Sequence, residues 1–422
     1  MIALLAGRFS LLKVLRTRSY ALLWLGQVIS FLGDNMYRIA LAWEVLLLTG
    51  SATSMGIVLA ANLVPTLIFL LLGGVTADRL PRRLILLTSD GGRAILVGII
   101  ALLGLLHQLQ FWHLVVFSLI FGVVDSFFSP AYQSIQPQLV ERDMLQSANA
   151  LTQLGGLLSN LLGPALGAIC VAAFGASSAF AFDALSFVIS FACVLAIHMP
   201  SVVAQTEEEP TAQSGGVQSM LADIREGIRY VTGSTWLWLT ITIASLANIT
   251  YFGPIAVAMP RLVHDSYGVG VWLLGAITTM DAVGGIVATL LTSQMRLKRR
   301  RGLLAYSALL ISSITLIAFG LPLPHTLAPT IAIIASIFTG FGLGVFQVVW
   351  VTIMQEQVPA DALGRVSSID MLGSMILLPI GFALIGILTD HFGPAPMFVF
   401  GGLLTLLLVS IGLSVRDIRM LN

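Results

Sequence analysis

The chain has 422 residues, of which 57% are hydrophobic and only 10% charged, and its mean hydropathy is +0.96. Soluble domains carry about 25% charged residues, so this composition excludes a soluble globular protein and points to a polytopic membrane protein. The formal charge of +1 gives no reason to expect a nucleic-acid partner, and Cys170 and Cys193 both lie in apolar runs that offer no disulfide framework or CxxC metal site.

The opening stretch MIALLAGRFSLLKVLRTRSY lacks a basic region ahead of its apolar part and has no long apolar core. No cleaved signal peptide is expected there, and the segment is read as lying on the cytoplasmic membrane surface. About twelve apolar segments follow, each near the roughly 17–25 residues that a spanning helix needs. In the first half they fall near 20–48, 54–76, 84–106, 111–134, 145–173 and 177–198. In the second half they fall near 235–261, 269–294, 302–321, 327–353, 364–389 and 394–414.

Lys and Arg orient these spans, because positively charged loops stay in the cytoplasm. Basic residues cluster at Arg8, Lys13, Arg16 and Arg18, at Arg79, Arg82 and Arg83, at Arg296 and Lys298–Arg301, and at Arg416 and Arg419. The loops of opposite parity, TGSAT, HQLQFWH, FGASS, LPLPHT and HFGPAP, contain neither residue type, and only Arg261 sits near that face. Both termini are therefore expected to be cytoplasmic.

One long polar connection, Pro200 to Ser234, divides the chain. Its first part is rich in Glu, Gln, Ser and Gly, as disordered linkers are. Its second part sets Leu221, Ile224, Ile228 and Val231 on one helical face, the pattern of an amphipathic helix at the inner surface. The expected organisation is a bundle over 1–199, a linker over 200–234 and a second bundle over 235–422. The halves echo one another: IQPQLVERDMLQSANAL before GPALG recurs in outline as MQEQVPADALGRVSSID before PIGFALIG, the mark of a transporter built from repeats.

Within the predicted spans Asp34, Asp125 and Asp281 fall near mid-membrane, and Arg38 lies one turn from Asp34. A charge at a helix centre costs roughly 2.5–3.5 kcal/mol, so these residues are expected to line an aqueous cavity that binds protons or substrate. The i,i+4 spacing allows a direct Asp34–Arg38 pair on one helical face. Asn35, Asn248, Tyr251, Gln347 and Trp350 are further cavity candidates, whereas Glu44, Asp183 and Asp265 are read as interfacial on the outer side. The six histidines show no metal-ligand spacing, and there is no P-loop or nucleophile elbow, so no metal, ATPase or other enzymatic chemistry is expected.

GGVTADRLPRR, after the second span, resembles the signature loop of the major facilitator superfamily, with Pro81 where the family commonly has Gly. GPALG resembles the antiporter motif of its exporters. FFSPAYQSIQPQLVERDMLQSANAL, SDGGRA and DIREGIRY together resemble the drug:proton antiporter branch that includes macrolide efflux proteins and enterobactin exporters. The resemblance implies an all-α fold of twelve transmembrane helices in two six-helix bundles, alternating access and proton antiport, with no cofactor. It also implies an inner latch in which Gly74, Asp78, Arg79, Arg82 and Arg83 meet the start of the eleventh helix near Asp370. The function expected is secondary export of small hydrophobic or amphipathic molecules from the cell inner membrane by a monomer whose partners are the substrate, protons and the lipid bilayer. Two alternatives stay open: a lipid or lysophospholipid transporter, and a passive channel or scramblase.

Overall fold

The computed structural model describes residues 13–198, 217–295 and 300–421, and every regular element among them is helical. The proposed disordered linker segment, Arg296–Arg299 and the side chains of Leu221 and Ile224 lie outside the described residues. Among the described residues, eleven helical stretches are long and apolar enough to cross a membrane. The helix α1 (Arg18–Thr49) has 32 residues but does not join them, because Gln27, Asp34, Asn35 and Arg38 interrupt its apolar sequence.

The chain divides into two compact units, Met1–Ser201 with Pro260–Thr279, and Val202–Met259 with Met280–Asn422. In the first, α1 is followed by α2 (Ala52–Arg79), α3 (Arg82–Leu105), α4 (Phe111–Leu139), α5 (Leu145–Phe174) and α6 (Ala176–Leu195). Their ends follow local chemistry: Gly50 takes a left-handed conformation (φ 62°) that ends α1, and the Ser51 side chain accepts the Ser54 N–H to open α2. Tyr20 and Leu23 of α1, Leu86 of α3, Ile135 of α4, Ala148 of α5 and Val194 of α6 form one apolar cluster. Around it, Ile95, Phe174 and other large apolar side chains point outward, which would be a liability in water and is neutral in hydrocarbon.

The second unit holds α7 (Val217–Gly233), α8 (Thr235–Gly253), most of α9 (Val271–Gln294), α10 (Arg301–Phe319), α11 (Ala328–Gln357), α12 (Ala360–Met375), α13 (Leu378–Phe392), α14 (Pro394–Ser414) and the short α15 (Arg416–Arg419). The second part of the linker is helical in α7, where Val231 is buried in a cluster with Trp350 and Val366 and Ile228 is 49% exposed.

Two spans depart from simple helices. The segment after α8 continues to Ser266 through π-helical turns at Pro254–Ala258 and Leu262–Ser266, beginning where Pro254 removes a backbone donor. The eleventh span, expected as one helix over 364–389, breaks between α12 and α13. Pro379 cannot donate to the Met375 carbonyl, and Asn248 of α8 donates its Nδ2–H to the neighbouring Ser374 carbonyl at 2.8 Å.

Candidate functional site

The first unit contains a cavity of about 350 Å³. α1 contributes Phe31, Asp34, Asn35 and Arg38 to it, α3 contributes Arg93, α4 contributes Asp125, Phe128 and Tyr132, and α5 contributes Asn160. One wall is aromatic, with Phe128 stacked on Tyr132 at 5.8 Å and Phe31 edge-on to Tyr132 at 6.1 Å. A polar wall is set by Asn35, whose Nδ2 donates to Phe31 O at 2.8 Å and to Asn160 Oδ1 at 3.1 Å.

The cation that organises this site is Arg93, which lies inside the third predicted span and enters the sequence reading only as part of SDGGRA, not as a site residue. Its side chain is 2% exposed and forms an ion pair with Asp125. Its guanidinium carbon lies 4.1 Å from the Phe128 ring centre, 5.4 Å from Phe121 and 5.5 Å from Phe187. Aromatic faces attract a desolvated cation, so rings and carboxylate together replace the water that Arg93 gives up. The signal in sequence was a charged pair, Asp90 and Arg93, inside an otherwise apolar run.

The Asp34–Arg38 pair that the spacing allows is not formed. Arg38 is exposed, and among the described residues Asp34 makes no ion pair and accepts no hydrogen bond. It borders the same cavity as Arg93, Arg38 and Asp125, with Arg93 already committed to Asp125. The interfacial reading of Asp183 is also corrected: it is 0% exposed, because the glycine at position 33 lets α6 approach α1 and cover it. Asp265 does lie in an exposed cluster, with Arg261 Nε at 3.0 Å and His264 Nδ1 at 2.7 Å.

The remaining candidates lie in the second unit. Asn248 and Tyr251 line a small cavity of about 60 Å³ beside Tyr306 and Phe346. The buried Tyr251 hydroxyl has no hydrogen-bond partner. Asp281 is half-buried, and its backbone carbonyl rests on Gly340 of α11. Gln347 is exposed, whereas Trp350 is buried and donates its indole N–H to Asp370 Oδ2 at 3.0 Å.

Of the latch candidates, the surroundings of Gly74 and the side chains of Asp78 and Arg79 lie outside the description. Arg82 and Arg83 sit in the first turn of α3 and not at the end of the preceding helix. Arg83 donates to Val194 O at 3.1 Å and Leu195 O at 2.6 Å, capping the C-terminus of α6, where orphan carbonyls and the helix dipole favour a cation.

A family model described as "Major Facilitator Superfamily" matches residues 23–382 and 255–419. Macrolide efflux protein A of Streptococcus pyogenes is 22% identical over 402 residues, covering 95% of this chain and 96% of that protein. Multidrug efflux pump Tap of Mycolicibacterium fortuitum is 26% identical over 401 residues, covering 92% and 94%. The solved structure of a bacterial homologue of the iron transporter ferroportin superposes with a TM-score of 0.71 at 15% identity, covering 93% of this chain and 98% of that one. The all-helical architecture and the match along nearly the whole sequence lead to one conclusion: this multi-pass membrane chain belongs to the major facilitator superfamily.

Proposed function

We propose that the chain is a secondary exporter of small hydrophobic or amphipathic molecules, driven by proton antiport and working by alternating access between bundles 1–199 and 235–422. The observation that carries this reading is Asp34: a carboxyl group at the cavity wall with no hydrogen bond and no ion pair among the described residues, next to an arginine held by another carboxylate. Such a group is compensated either by a proton or by a cationic part of a substrate. Competition between the two at one carboxyl is what an antiporter requires, since each must leave before the other binds. The Phe31, Phe128 and Tyr132 rings supply apolar surface for a substrate body, while Asn35 and Asn160 offer orienting polar groups. The names of the relatives, a macrolide efflux protein and a multidrug efflux pump, support export as the direction. In this reading the protein sits in the cell inner membrane with both termini cytoplasmic, and the loop carrying Asp78 and Arg82 acts as the inner latch.

The test is transport of a radiolabelled macrolide by the purified chain in proteoliposomes with an imposed pH gradient. Wild type is expected to accumulate the probe until a protonophore is added. Asp34→Asn is expected to lose uphill accumulation but keep downhill exchange, because a permanently neutral site still alternates. Uptake without saturation or trans-stimulation would instead indicate a passive pathway, and full proton-coupled accumulation by Asp34→Asn would remove Asp34 from the mechanism.

A further inference from the structure

A second carboxyl group lies behind the cavity wall, and the reading above gives it no task. Asp183 of α6 is 0% exposed, and its Oδ2 has no hydrogen-bond partner. Its Oδ1 is 3.3 Å from Ser186 Oγ, but that hydroxyl donates to the Asp183 backbone carbonyl at 2.7 Å. The carboxyl lies over Gly33 of α1, where an added Cβ would stand 2.5 Å from Oδ1, and the next residue is Asp34.

The ionisable groups that face it are Asp34, Tyr37 and Arg38 on α1 and Arg93 on α3. Arg38 is exposed, and Arg93 is paired with Asp125 of α4. The adjoining α5 carries no charged residue. Asp90 of α3 makes a useful contrast. It is equally buried and its Oδ1 likewise has no partner, but Ser190 Oγ donates to its Oδ2 at 2.7 Å and is itself held by Gln27 Nε2 at 3.1 Å. Asp183 has no comparable donor.

An ionised carboxylate withdrawn from water needs several donors or a close cation, and Asp183 has neither, whereas a protonated carboxyl needs far less. We propose that Asp183 is a second proton-binding group of the transport cycle, which holds a proton behind the cavity and exchanges it with Asp34 across the close helix contact at Gly33. In the exchange the O–H bond of Asp183 breaks as one forms on the Asp34 carboxylate, so one proton moves from α6 to α1 and the negative charge moves the other way. Arg93 Nε, a buried donor without a partner, is on hand to meet that charge. The exchange rests on the proton-antiport reading, but the proton on Asp183 rests on burial and hydrogen bonding alone.

Infrared spectroscopy of the purified protein at neutral pH tests the proton directly, through the carbonyl stretch of a protonated carboxyl. The band is expected in wild type and in Asp34→Asn, and its Asp183 component is expected to vanish in Asp183→Asn. In proteoliposomes, Asp183→Asn is expected to slow pH-driven macrolide transport several-fold while leaving counterflow at the wild-type rate. A band unchanged by Asp183→Asn, or uphill transport at the wild-type rate, overturns the proposal. Should Asp183→Asn fail to fold, Ser186→Ala serves in its place: removing the hydroxyl beside Oδ1 is expected to shift the band without abolishing it, and an unshifted band counts against a proton there. A wild-type chain indifferent to the pH gradient overturns the antiport reading and the exchange with it, while the band still reports whether Asp183 holds a proton.

Discussion

The two units bury polar groups of different kinds. The first buries charge: Asp90, Arg93 and Asp183 are all essentially inaccessible, and Asp34 and Asp125 border the cavity beside them. The second buries hydroxyl groups in pairs, Tyr306 with Thr240 at 2.9 Å, Thr250 with Thr405 at 2.7 Å and Thr315 with Thr339 at 2.8 Å. Its ion pairs, Arg301–Glu356 and Arg365–Glu226, have solvent-exposed acids. Neutral hydroxyl pairs satisfy themselves and hold helices together, whereas buried ions are expensive and tend to mark sites of function in a membrane. On the antiport reading proposed above, the contrast places the proton chemistry in the first unit and leaves the second mainly a frame.

The strongest blow to this contrast should come from Arg93. Arg93→Ala leaves Asp125 without its cation and three rings without their guanidinium, a loss that the 45% exposure of the Asp125 side chain moderates. Thermal unfolding of the purified variant is expected to fall markedly, with transport lost. The double variant Arg93→Met with Asp125→Leu sharpens the point: exchanging both ions for apolar groups is expected to restore much of the stability but none of the transport. A double variant that transports would show the pair to be scaffolding alone.

Asp281 tests the contrast from the other side, because it is the acid of the second unit that sequence reasoning also placed in the cavity. Asp281→Asn is expected to keep pH-driven accumulation of a macrolide, whereas Asp34→Asn loses it. If accumulation disappears in Asp281→Asn while counterflow remains, proton chemistry belongs to the second unit as well.

The same residues show what the sequence could reveal. Spans such as Arg301–Phe319 and Pro394–Ser414 lie within a few residues of the apolar runs expected at 302–321 and 394–414, because length and hydropathy alone decide whether a segment crosses a bilayer. The break after Met375 was hidden, because a proline in a span interrupts it only where a neighbour such as Asn248 stabilises the opened backbone. Asp34, Asn35, Arg38 and Asp125 were all named in advance, and one cavity joins them. Asp90, Arg93 and Asp183 were missed or misplaced because their role depends on which helix faces which. Asp183 is only about two turns from the start of α6, and nothing local distinguishes an acid at an interface from one sealed over a glycine.

Helix packing in the second unit supplies a smaller effect. Gly340 of α11 lies against the backbone of Asp281 in α9, and an added Cβ would meet the Asp281 Cα at 3.0 Å and its carbonyl oxygen closer still. Gly340→Ala must push the helices apart, at about 1–3 kcal/mol for an overpacked contact. The unfolding temperature is expected to fall, with gradient-driven transport retained in the folded fraction. A variant as stable as wild type would mean that the two helices move apart without cost.

The smallest effect is expected at Tyr306, whose hydroxyl donates to Thr240 Oγ1 in the interior of the second unit. Tyr306→Phe keeps the ring and its edge-on contact with Phe346 at 6.2 Å, and it removes one neutral hydrogen bond. A bond of this kind contributes about 1 kcal/mol net, and the variant leaves Thr240 Oγ1 short of one neutral donor. The unfolding temperature should therefore drop only slightly, and pH-driven transport should match wild type, since no charge has been moved. The cavity of about 60 Å³ beside Tyr306 also contains the unpartnered Tyr251 hydroxyl, so the measurement has a second use. If Tyr306→Phe abolishes proton-driven transport while leaving stability intact, the hydroxyl groups of the second unit form part of a proton path, and the division between a charged unit and a neutral frame fails.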